Sequence, residues 1–332
     1  MTPLKELLAQ YSRERGGSLE ETAQGVRELS LMFNGITPHR PGYLSVHRLR
    51  RAYVRYYLPT NVPKVAHVLS ELKTYAPWGS RPRVLDFGCG PGTASIALLE
   101  LGAAADLTLV DVVDEALDDA AFFTRSLGAR PRLLHEPPAE KFDLILAANV
   151  FSETAPDLGT LLAERGHLVV IEPALKASTQ RLMEWRDRQV EQGYTIAAPC
   201  LGPPRCPMRA HPELWCHQEI PWPRPAFIAE VDRRVGLAKE TLKYSYIVAT
   251  RGGRTLADLP GDVRLVSNLH REKGKAWAWV CGRQGPLCRA EVLTRHRSEA
   301  TSAFFRAVRG DRLRMNVEGE TCRSEGPIEK VL

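Results

Sequence analysis

Several common signatures are missing from this chain, and each absence narrows the class of protein. No apolar run approaches the roughly 18 residues that a membrane-spanning helix needs. The N-terminal segment lacks an apolar signal core, and its Glu6 and Glu14 are atypical of an organelle transit peptide. Seven cysteines, an odd number without a secretion signal, argue against a disulfide framework. We therefore expect a cytoplasmic protein with reduced thiols and no membrane partner.

The excess of positive charge is confined to the C-terminal quarter. Residues 251–332 contain 16 Lys and Arg against 10 Asp and Glu, whereas residues 1–250 contain 29 of each. Most of these basic residues are arginines, whose guanidinium groups suit phosphate and stacked bases. Two interpretations follow: a solvated basic face, or a surface that contacts RNA phosphates. The candidate phosphate contacts are Arg283, Arg289, Arg295 and Arg297.

Periodicity along the chain predicts three regions. Residues 1–76 are expected to be helical, because their apolar residues recur at helical spacing. Residues 77–250, with a Cys-rich insertion at 198–222, alternate apolar strands with helices, which is typical of a doubly wound parallel α/β sheet. Residues 251–332 contain short strand-like runs between Gly and Pro turns. They predict a small basic β domain that ends in a loose tail from about Gly319.

A stretch near the end of the helical region mixes basic and aromatic residues. Two interpretations are open: a nucleic-acid surface, or tyrosines in the core beside solvated arginines. The residues concerned are Arg48, Arg50, Arg51, Tyr53, Arg55, Tyr56 and Tyr57.

A glycine-rich turn follows the first predicted strand of the α/β region, in the string Asp86-Phe87-Gly88-Cys89-Gly90-Pro91-Gly92. Glycine permits a tight turn and close approach of a ligand to the backbone. The spacing differs from the dinucleotide-binding G-x-G-x-x-G, and the preceding Asp86 would repel a pyrophosphate but suits a cationic ligand. The alternative is a purely structural turn.

The pattern D-x-G-x-G-x-G resembles motif I of the class I S-adenosylmethionine (SAM)-dependent methyltransferases. The resemblance implies a Rossmann-like fold, with Asp86 near the ammonium end of SAM. It also implies that Asp111, at the end of the second strand, accepts the ribose hydroxyls. The candidate cofactor-binding residues are Asp86, Gly88, Cys89, Gly90, Gly92 and Asp111.

Asn149 ends the fourth predicted strand, where this superfamily often keeps a substrate-side residue. Base-methylating members commonly carry Asn-Pro-Pro-Tyr or Asp-Pro-Pro-Tyr there, which holds a flipped base. This chain has Asn149-Val150-Phe151-Ser152 instead. Asn149 is therefore the one candidate catalytic residue, and a cofactor cavity is better supported than catalysis. We expect no DNA partner.

Cys200, Cys206 and Cys216 lie within one Pro-rich stretch with the spacing C-x5-C-x9-C. Crowded thiols outside helices and strands are suitable soft ligands for zinc or an iron–sulfur cluster, although neither gap is the C-x2-C of a zinc ribbon. The alternative is three incidental buried thiols. The candidates for a fourth ligand are His211, His217, Cys281 and Cys288.

The whole chain, over about residues 45–315, resembles the methyltransferase-like assembly factors of the mitochondrial small ribosomal subunit and their bacterial relatives. The most specific part is the string A-P-C…C-P…W-C-H around the three cysteines. The other segments that carry the resemblance are Arg51-Ala52-Tyr53, Leu58-Pro59, Gly88–Gly92, Asn149–Glu153, Ile171-Glu172-Pro173, Tyr244-Ser245-Tyr246 and Val280-Cys281 with Gly285. Two positions depart from the family pattern, at Leu201-Gly202 and at Ala174-Leu175-Lys176.

The resemblance implies a [4Fe–4S] cluster, with zinc as the alternative metal. Carried over by position, its ligands are Cys200, Cys206, Cys216 and Cys281, with Cys288 as the rival fourth ligand. The implied function is a SAM-binding factor in small ribosomal subunit assembly or translation, with 16S-type rRNA as its partner. Three versions stay open: an rRNA methyltransferase, a non-catalytic ribosome-binding factor, or a zinc-stapled methyltransferase of a small molecule.

Overall fold

The computed structural model describes residues 4–151, 153, 157–202, 205–259, 262–283, 285–315, 321–323 and 326–331. The chain divides into two compact units. Unit 1 runs to Ile171 and includes Ile220–Leu242, and unit 2 comprises Glu172–Glu219 and the residues from Lys243 onward. The three predicted domain boundaries remain a prediction.

Unit 1 begins with the expected helical region. Its helices are α1 (Leu4–Arg15), α2 (Leu19–Phe33), α3 (His47–Ala52), a π-helical turn (Tyr53–Tyr57) and α4 (Leu58–Tyr75). A capping box starts α2, in which the Ser18 hydroxyl accepts a hydrogen bond from the Glu21 amide at 3.1 Å and the Glu21 carboxylate accepts one from the Ser18 amide at 2.7 Å. No helix that the structure describes is both long enough and apolar enough to cross a membrane.

The mixed basic and aromatic stretch is part of the core of unit 1. Tyr53, Tyr56 and Tyr57 are buried in one apolar cluster with residues of α2 and α3. The guanidinium of Arg50 is buried as well, with Nε 3.2 Å from Oδ2 of Asp119. Since these side chains face inward, the structure favours the core interpretation for the tyrosines over a nucleic-acid surface.

The parallel sheet of unit 1 has the strand order β3-β2-β1-β4-β5. Its elements are β1 (Arg83–Phe87), α5 (Thr93–Glu100), β2 (Asp106–Val110), α6 (Asp114–Ser126), β3 (Arg132–Leu134), β4 (Phe142–Ala148) and β5 (Leu162–Pro173). The chain builds outward from β1 to β3, then returns to the other side of β1. That reversal of order is the switch point of a doubly wound, Rossmann-like fold, where ligands bind beyond the carboxyl ends of the strands. The predicted fold class is confirmed.

One helix of unit 1 has no counterpart in the sequence prediction. It is α8 (Ala226–Val235), which follows the Cys-rich stretch and packs against α2 through Ile228 and Val231 in the tyrosine-containing cluster. The preceding segment Pro221–Pro225 contains three prolines, and the apolar residues that follow it repeat at helical spacing over only a short stretch. The helix was therefore not recognised from sequence.

Unit 2 starts with α7 (Lys176–Glu191) and β6 (Thr195–Ala198), and β6 pairs antiparallel with β8 (Thr241–Thr250). β7 (Gln218–Pro221) follows the last cysteine of the Cys-rich stretch. The helix α7 and the strands β6 and β8 fall in the region where we predict alternating helices and strands, whereas β7 has no counterpart in the sequence prediction.

The predicted small β domain is a second sheet in unit 2, with the order β14-β12-β11-β9-β13-β15 and β10 paired to β11. Its elements are β9 (Val263–Leu265), β10 (His270–Glu272), β11 (Lys275–Gly282), β12 (Cys288–Leu293), α9 (Ser302–Arg306), β13 (Arg312–Arg314), β14 (Thr321–Arg323) and β15 (Glu329–Val331). The segment expected to be a loose tail contains β14 and β15, which pair with β12 and β13. Strand pairing with distant partners overrides the weak local signal there.

Candidate functional site

The glycine-rich turn between β1 and α5 needs its glycines for two separate reasons. Gly88, Gly90 and Gly92 have φ of 61°, 50° and 84°, in the left-handed region that favours glycine. A Cβ on Gly88 would lie 2.4 Å from Cγ2 of Val150, and one on Gly92 would lie 3.2 Å from Ala120. The turn is therefore held close to the strand ends and to α6, with its backbone exposed to the space above β1.

Asp86 is the last buried residue of β1 and is fixed by the first turn of α5. Its Oδ2 accepts hydrogen bonds from the Ser95 amide at 2.9 Å and the Ser95 hydroxyl at 2.7 Å. Burial raises the pKa of Asp86 to about 6, against the lowering effect of those two hydrogen bonds. The carboxylate thus positions the turn through α5 as well as contributing negative charge.

Asp111 follows β2 and holds the turn from the other side. Its Oδ2 accepts a hydrogen bond from the Gly90 amide at 2.8 Å, and its Oδ1 accepts one from the Val113 amide at 3.0 Å. Burial raises the pKa of Asp111, while these backbone donors lower it. The two predicted acids therefore meet at one end of the sheet, as the carboxyl ends of neighbouring parallel strands must.

These groups surround a cavity of about 160 Å³ in unit 1. Of the predicted residues, Asp86, Gly88, Cys89, Gly90, Asp111 and Asn149 line it. Gly92 does not line the cavity, because it packs on Ala120 instead. Cys89 contributes backbone, since its amide donates to the Val110 carbonyl at 3.0 Å and its thiol is buried.

Asn149 lies at the cavity wall with an unusual backbone. Its φ is 61°, which is uncommon outside glycine but tolerated by asparagine, and its amide donates to the Ile171 carbonyl at 2.7 Å. The left-handed turn redirects the chain directly after β4 and brings Val150 against Gly88. Ser152, which the sequence analysis names beside it, lies outside the described residues.

Among the lining residues that the assignment of sites from sequence missed, four have ionisable side chains: Tyr43, Tyr53, His135 and Glu153. Nε2 of His39 lies 3.5 Å from Oε1 of Glu153. A signal existed for two of them, since Tyr53 and Glu153 stand in segments that carry the family resemblance. Tyr43 and His135 come from loops whose position depends on the folded helices and strands, so no local pattern marks them.

The four predicted cysteine ligands line one cavity inside unit 2. Cys200, Cys206, Cys216 and Cys281 all face it, and its volume is about 50 Å³. All four are thiols rather than disulfides. Among the described residues, no group of three or more His, Cys, Asp or Glu side chains is placed so that it could hold a metal ion. The cavity therefore gathers the thiols without bringing them to ligand distances.

The register of β11 and β12 separates Cys281 from its rival Cys288. Val280 pairs with Cys288, and both side chains belong to the apolar core of the second sheet. Side chains alternate along a strand, so Cys281 points to the opposite face. There it packs with Cys206 and Cys216 against a small apolar cluster that includes Met208. The geometry thus favours Cys281 as the fourth thiol.

Both histidines considered as ligands have other partners. His217 lines the thiol cavity, but its Nε2 lies 3.1 Å from Oε1 of Glu219 and its Nδ1 lies 3.2 Å from the Trp215 carbonyl. His211 does not line the cavity; its ring lies 5.8 Å from that of Trp279.

Two buried guanidinium groups share the thiol cavity. Arg186 is 1% exposed, and its Nη1 lies 2.7 Å from Oδ1 of Asp187, which also accepts the Cys206 amide at 2.9 Å. Arg264 is 4% exposed and donates to the Tyr246 hydroxyl at 2.9 Å. Both arginines and Tyr246 line the cavity, and sequence analysis assigned none of them to it. Positive charge at this position favours an anionic group among the cysteines.

Burial opposes ionisation of three of the thiols in this cavity, those of Cys206, Cys216 and Cys281. It raises the pKa of Cys206 to about 12 and that of Cys216 to about 11, and the charges of neighbouring thiols add to the rise. The pKa of Cys281 is raised well above its usual value for the same reasons.

The loop after Cys200 is seated against the end of β11 at a point where only glycine fits. A Cβ on Gly202 would lie 1.8 Å from the Arg283 carbonyl oxygen. This departure from the family pattern is therefore a close backbone contact two residues beyond Cys281, and it leaves the thiols in place. Because the contact joins the cysteine loop to β11, it explains how thiols far apart in sequence meet.

The arginines predicted to contact RNA have intramolecular partners in the structure. The Arg283 guanidinium donates to the carbonyls of Ala257 and Leu259, the latter at 2.8 Å. Arg289 lies 2.9 Å from Glu291 and 4.2 Å from the centroid of the Trp277 ring. Arg295 Nε lies 3.1 Å from His296 Nε2, and Arg297 lies 5.3 Å from the Phe305 centroid. The phosphate contacts stay a prediction, for which Arg295 and Arg297 are now the better candidates.

Comparison with curated proteins finds partial matches to ribosomal protein L11 methyltransferases. The protein from Shewanella baltica (strain OS185) is 32% identical over 122 residues, which is 33% of this chain and 41% of that protein. The one from Shewanella woodyi is 29% identical over 116 residues, which is 34% of this chain and 38% of that protein. The chain thus spans about two fifths of the length of these relatives.

Solved structures of similar fold include a putative RNA methyltransferase from Pyrococcus horikoshii, with a TM-score of 0.37 and 13% identity over 57% of this chain and 82% of that one. A ribosomal protein L11 methylase from Lactobacillus delbrueckii has a TM-score of 0.36 and 16% identity, over 57% of this chain and 78% of that one.

A family model covers much more of the chain than any of these relatives. It is described as mitochondrial small ribosomal subunit Rsm22, and it matches residues 48–314. That range includes the glycine turn, both predicted acids and all four cysteines of the thiol cavity. Because the match extends over well more than half of the sequence, this chain belongs to the Rsm22 family.

Proposed function

We propose that this chain is a SAM-binding factor of the small ribosomal subunit that carries a [4Fe–4S] cluster on Cys200, Cys206, Cys216 and Cys281. The observation that carries the proposal is the convergence of these four thiols on one cavity, within a chain that also has a cavity built by a D-x-G-x-G-x-G turn. Membership of the Rsm22 family supports the ribosomal part.

The unit 1 cavity suits SAM by its position and its charge. It lies beyond the carboxyl ends of β1, β2 and β4, where open α/β sheets bind ligands. Glycines leave room for a ligand to approach the backbone, and Asp86 and Asp111 supply negative charge for a cationic ligand. Each oxygen of Asp111 that accepts a backbone amide retains a second lone pair, so it still accepts a ribose hydroxyl. The residues that would hold SAM are Asp86, Gly88, Cys89, Gly90 and Asp111.

The unit 2 cavity suits an iron–sulfur cluster by its donor set. Its described lining contains four thiols and two guanidinium groups, and no carboxylate. Iron–sulfur clusters take all-thiolate sites, and the ligated cluster is anionic, so Arg186 and Arg264 would stabilise it. A bound cluster would supply a covalent link between the cysteine loop and β11. Zinc remains the alternative, because it also accepts four thiolates.

The proposed partner is the rRNA of the small subunit, and the proposed location is the cytoplasm. The curated relatives are named for a ribosomal protein that they methylate, and the family model is described by a small ribosomal subunit. The surplus of arginine and lysine in residues 251–332 suits phosphate contacts.

Methyl transfer and simple binding are two versions of this function. Methyl transfer to an rRNA atom needs little acid–base chemistry, because positioning of the acceptor in line with the methyl group supplies most of the rate. The absence of the Pro-Pro-aromatic sequence after Asn149 favours the binding version, since the prolines and the aromatic residue that hold a flipped base are missing from their positions in that motif.

One experiment separates the two versions. Precursor small subunits are incubated with the purified chain and methyl-labelled SAM, beside an Asp111→Asn variant, and both label transfer and subunit binding are measured. Transfer by the wild type that the variant loses supports an enzyme. Binding without transfer assigns the non-catalytic role, and a failure to bind small subunits contradicts the ribosomal proposal.

A further inference from the structure

Two aromatic side chains and a carboxylate line the unit 1 cavity together. Tyr43 and Tyr53 both line it, and their ring centroids lie 6.4 Å apart with an interplanar angle of 46°. Glu153 lines the same cavity. Burial raises the pKa of both phenols, and the charge of Glu153 adds to the rise.

The three described carboxylates of this cavity differ in how far the protein itself offsets their charge. Asp86 accepts two hydrogen bonds from Ser95, and Asp111 accepts two from backbone amides. For Glu153 the described partner is His39, at 3.5 Å, and the two side chains are 30% and 39% exposed. The charge of Glu153 is therefore the most available to a ligand.

Two buried aromatic rings in the same cavity as an available carboxylate are the chemistry that recognises a cation. Ring faces attract cations through their negative quadrupole, and they do so best where water is excluded. Tyr43 is 7% exposed and Tyr53 is 8% exposed, so both rings are largely withdrawn from solvent. A carboxylate at the same wall adds direct Coulomb attraction.

We propose that Tyr43, Tyr53 and Glu153 form a sulfonium-selective wall, which makes the cavity prefer cationic SAM to its neutral demethylated form, S-adenosylhomocysteine. This inference rests on the proposed function. The two compounds share the adenosine and the amino-acid end, and differ in the methyl group and the charge on sulfur. Contacts of the glycine turn and Asp111 with the shared parts cannot separate them, so discrimination falls to this wall.

The test is titration calorimetry of the full chain with SAM, S-adenosylhomocysteine and sinefungin, which carries an ammonium group near the position of the sulfonium. Work at pH 8 keeps Glu153 ionised, since burial raises its pKa. The wild type is expected to bind SAM and sinefungin about tenfold more tightly than S-adenosylhomocysteine. Glu153→Gln is expected to cut that preference about fivefold, with the affinity for S-adenosylhomocysteine unchanged.

Two further variants keep the result interpretable. Glu115→Gln removes an exposed carboxylate of α6 that does not line the cavity and is expected to change nothing. Tyr43→Phe keeps the ring and is expected to keep the preference, whereas Tyr43→Leu is expected to weaken SAM and sinefungin alone.

The inference is overturned if Glu153→Gln weakens all three ligands equally, or if it leaves the preference intact. A wild type that binds none of the three compounds overturns the proposed function itself, along with this inference. The two failures are distinguishable, because the first still shows binding and the second does not.

Discussion

The cavity of unit 1 and the thiol cavity of unit 2 are built from different parts of the chain. The unit 1 cavity is made largely of backbone: glycines in left-handed conformation, peptide amides and the ends of adjacent parallel strands. The unit 2 cavity is made of side chains, with thiols from the loop after β6 and from β11. A site made of backbone from one turn can be recognised as a short motif in the sequence. A site made of side chains from distant segments depends on the tertiary contacts that bring those segments together.

The largest expected effect tests whether the unit 2 cavity needs Cys281 and not Cys288. Cys281→Ala should lose nearly all bound iron and the visible absorption of a cluster, since three thiolates no longer complete the site. Cys288→Ala should retain iron while losing about 2 kcal/mol of stability from a small cavity in the core. Iron analysis of both proteins, prepared without oxygen, makes the measurement. Iron retention by the first variant together with loss by the second would reverse the assignment.

The second effect tests how strongly the unit 1 cavity depends on backbone. Gly88→Ala would place a Cβ 2.4 Å from Val150 at a φ of 61°, so we expect at least about 3 kcal/mol of destabilisation and loss of SAM binding. Gly102→Ala is the matched control, with a φ of 76° and nothing within 4 Å. It should cost only the backbone strain of about 1 kcal/mol and keep SAM binding. Equal effects from both would mean that the close approach to Val150 is unimportant.

The third effect concerns the buried carboxylate Asp86. Its pKa in the folded chain, about 6, exceeds the ordinary value of 3.8, so the folded state binds the proton more tightly than the unfolded state. The free energy of unfolding should therefore fall as the pH rises from about 4 to about 6, by about 3 kcal/mol from this group. Asp86→Asn should remove that fall. Urea unfolding at several pH values measures it, and a parallel pH dependence in wild type and variant would contradict it.

The smallest effect tests the contact that brings the cysteine loop to β11. Gly202→Ala would drive a Cβ to within 1.8 Å of the Arg283 carbonyl, so the loop must shift, at a cost of about 2 kcal/mol. Iron should be lost more quickly from this variant on exposure to a chelator. Gly326→Ala, with nothing within 4 Å, serves as the control. Identical rates of iron loss from the two variants would mean that the contact between Gly202 and Arg283 does not help to retain the metal.

The difference between local motifs and tertiary contacts also explains which parts of the fold and of the sites were predictable from sequence. The strands of the parallel sheet, the glycine turn and the two acids at its strand ends follow from short apolar runs and one motif. Tyr43 and His135 could not be assigned to that cavity, because they enter it from loops placed by long-range packing. The helix α8 was missed since its short apolar period follows a proline-rich segment, and the strands after Gly319 were missed since their pairing is with distant partners.

For the thiol cavity, residue spacing left four candidates for the fourth ligand, and only the family resemblance favoured Cys281 over its rival Cys288. The structural choice between Cys281 and Cys288 depends on which face of the second sheet each side chain points to. Sequence alone does not give those faces, because they follow from the pairing of Val280 with Cys288. Arg186 and Arg264 carry no local signal at all. Their place beside the thiols follows from the packing of α7 and β9, which no spacing in the chain encodes.

The most direct test of the central claim is the metal and sulfide content of wild-type chain purified without oxygen. A [4Fe–4S] cluster on four cysteines predicts about four iron atoms and four acid-labile sulfides per chain, with a brown colour. One zinc ion per chain, with no sulfide and no visible absorption, would contradict the claim and leave the thiol cavity as a zinc site.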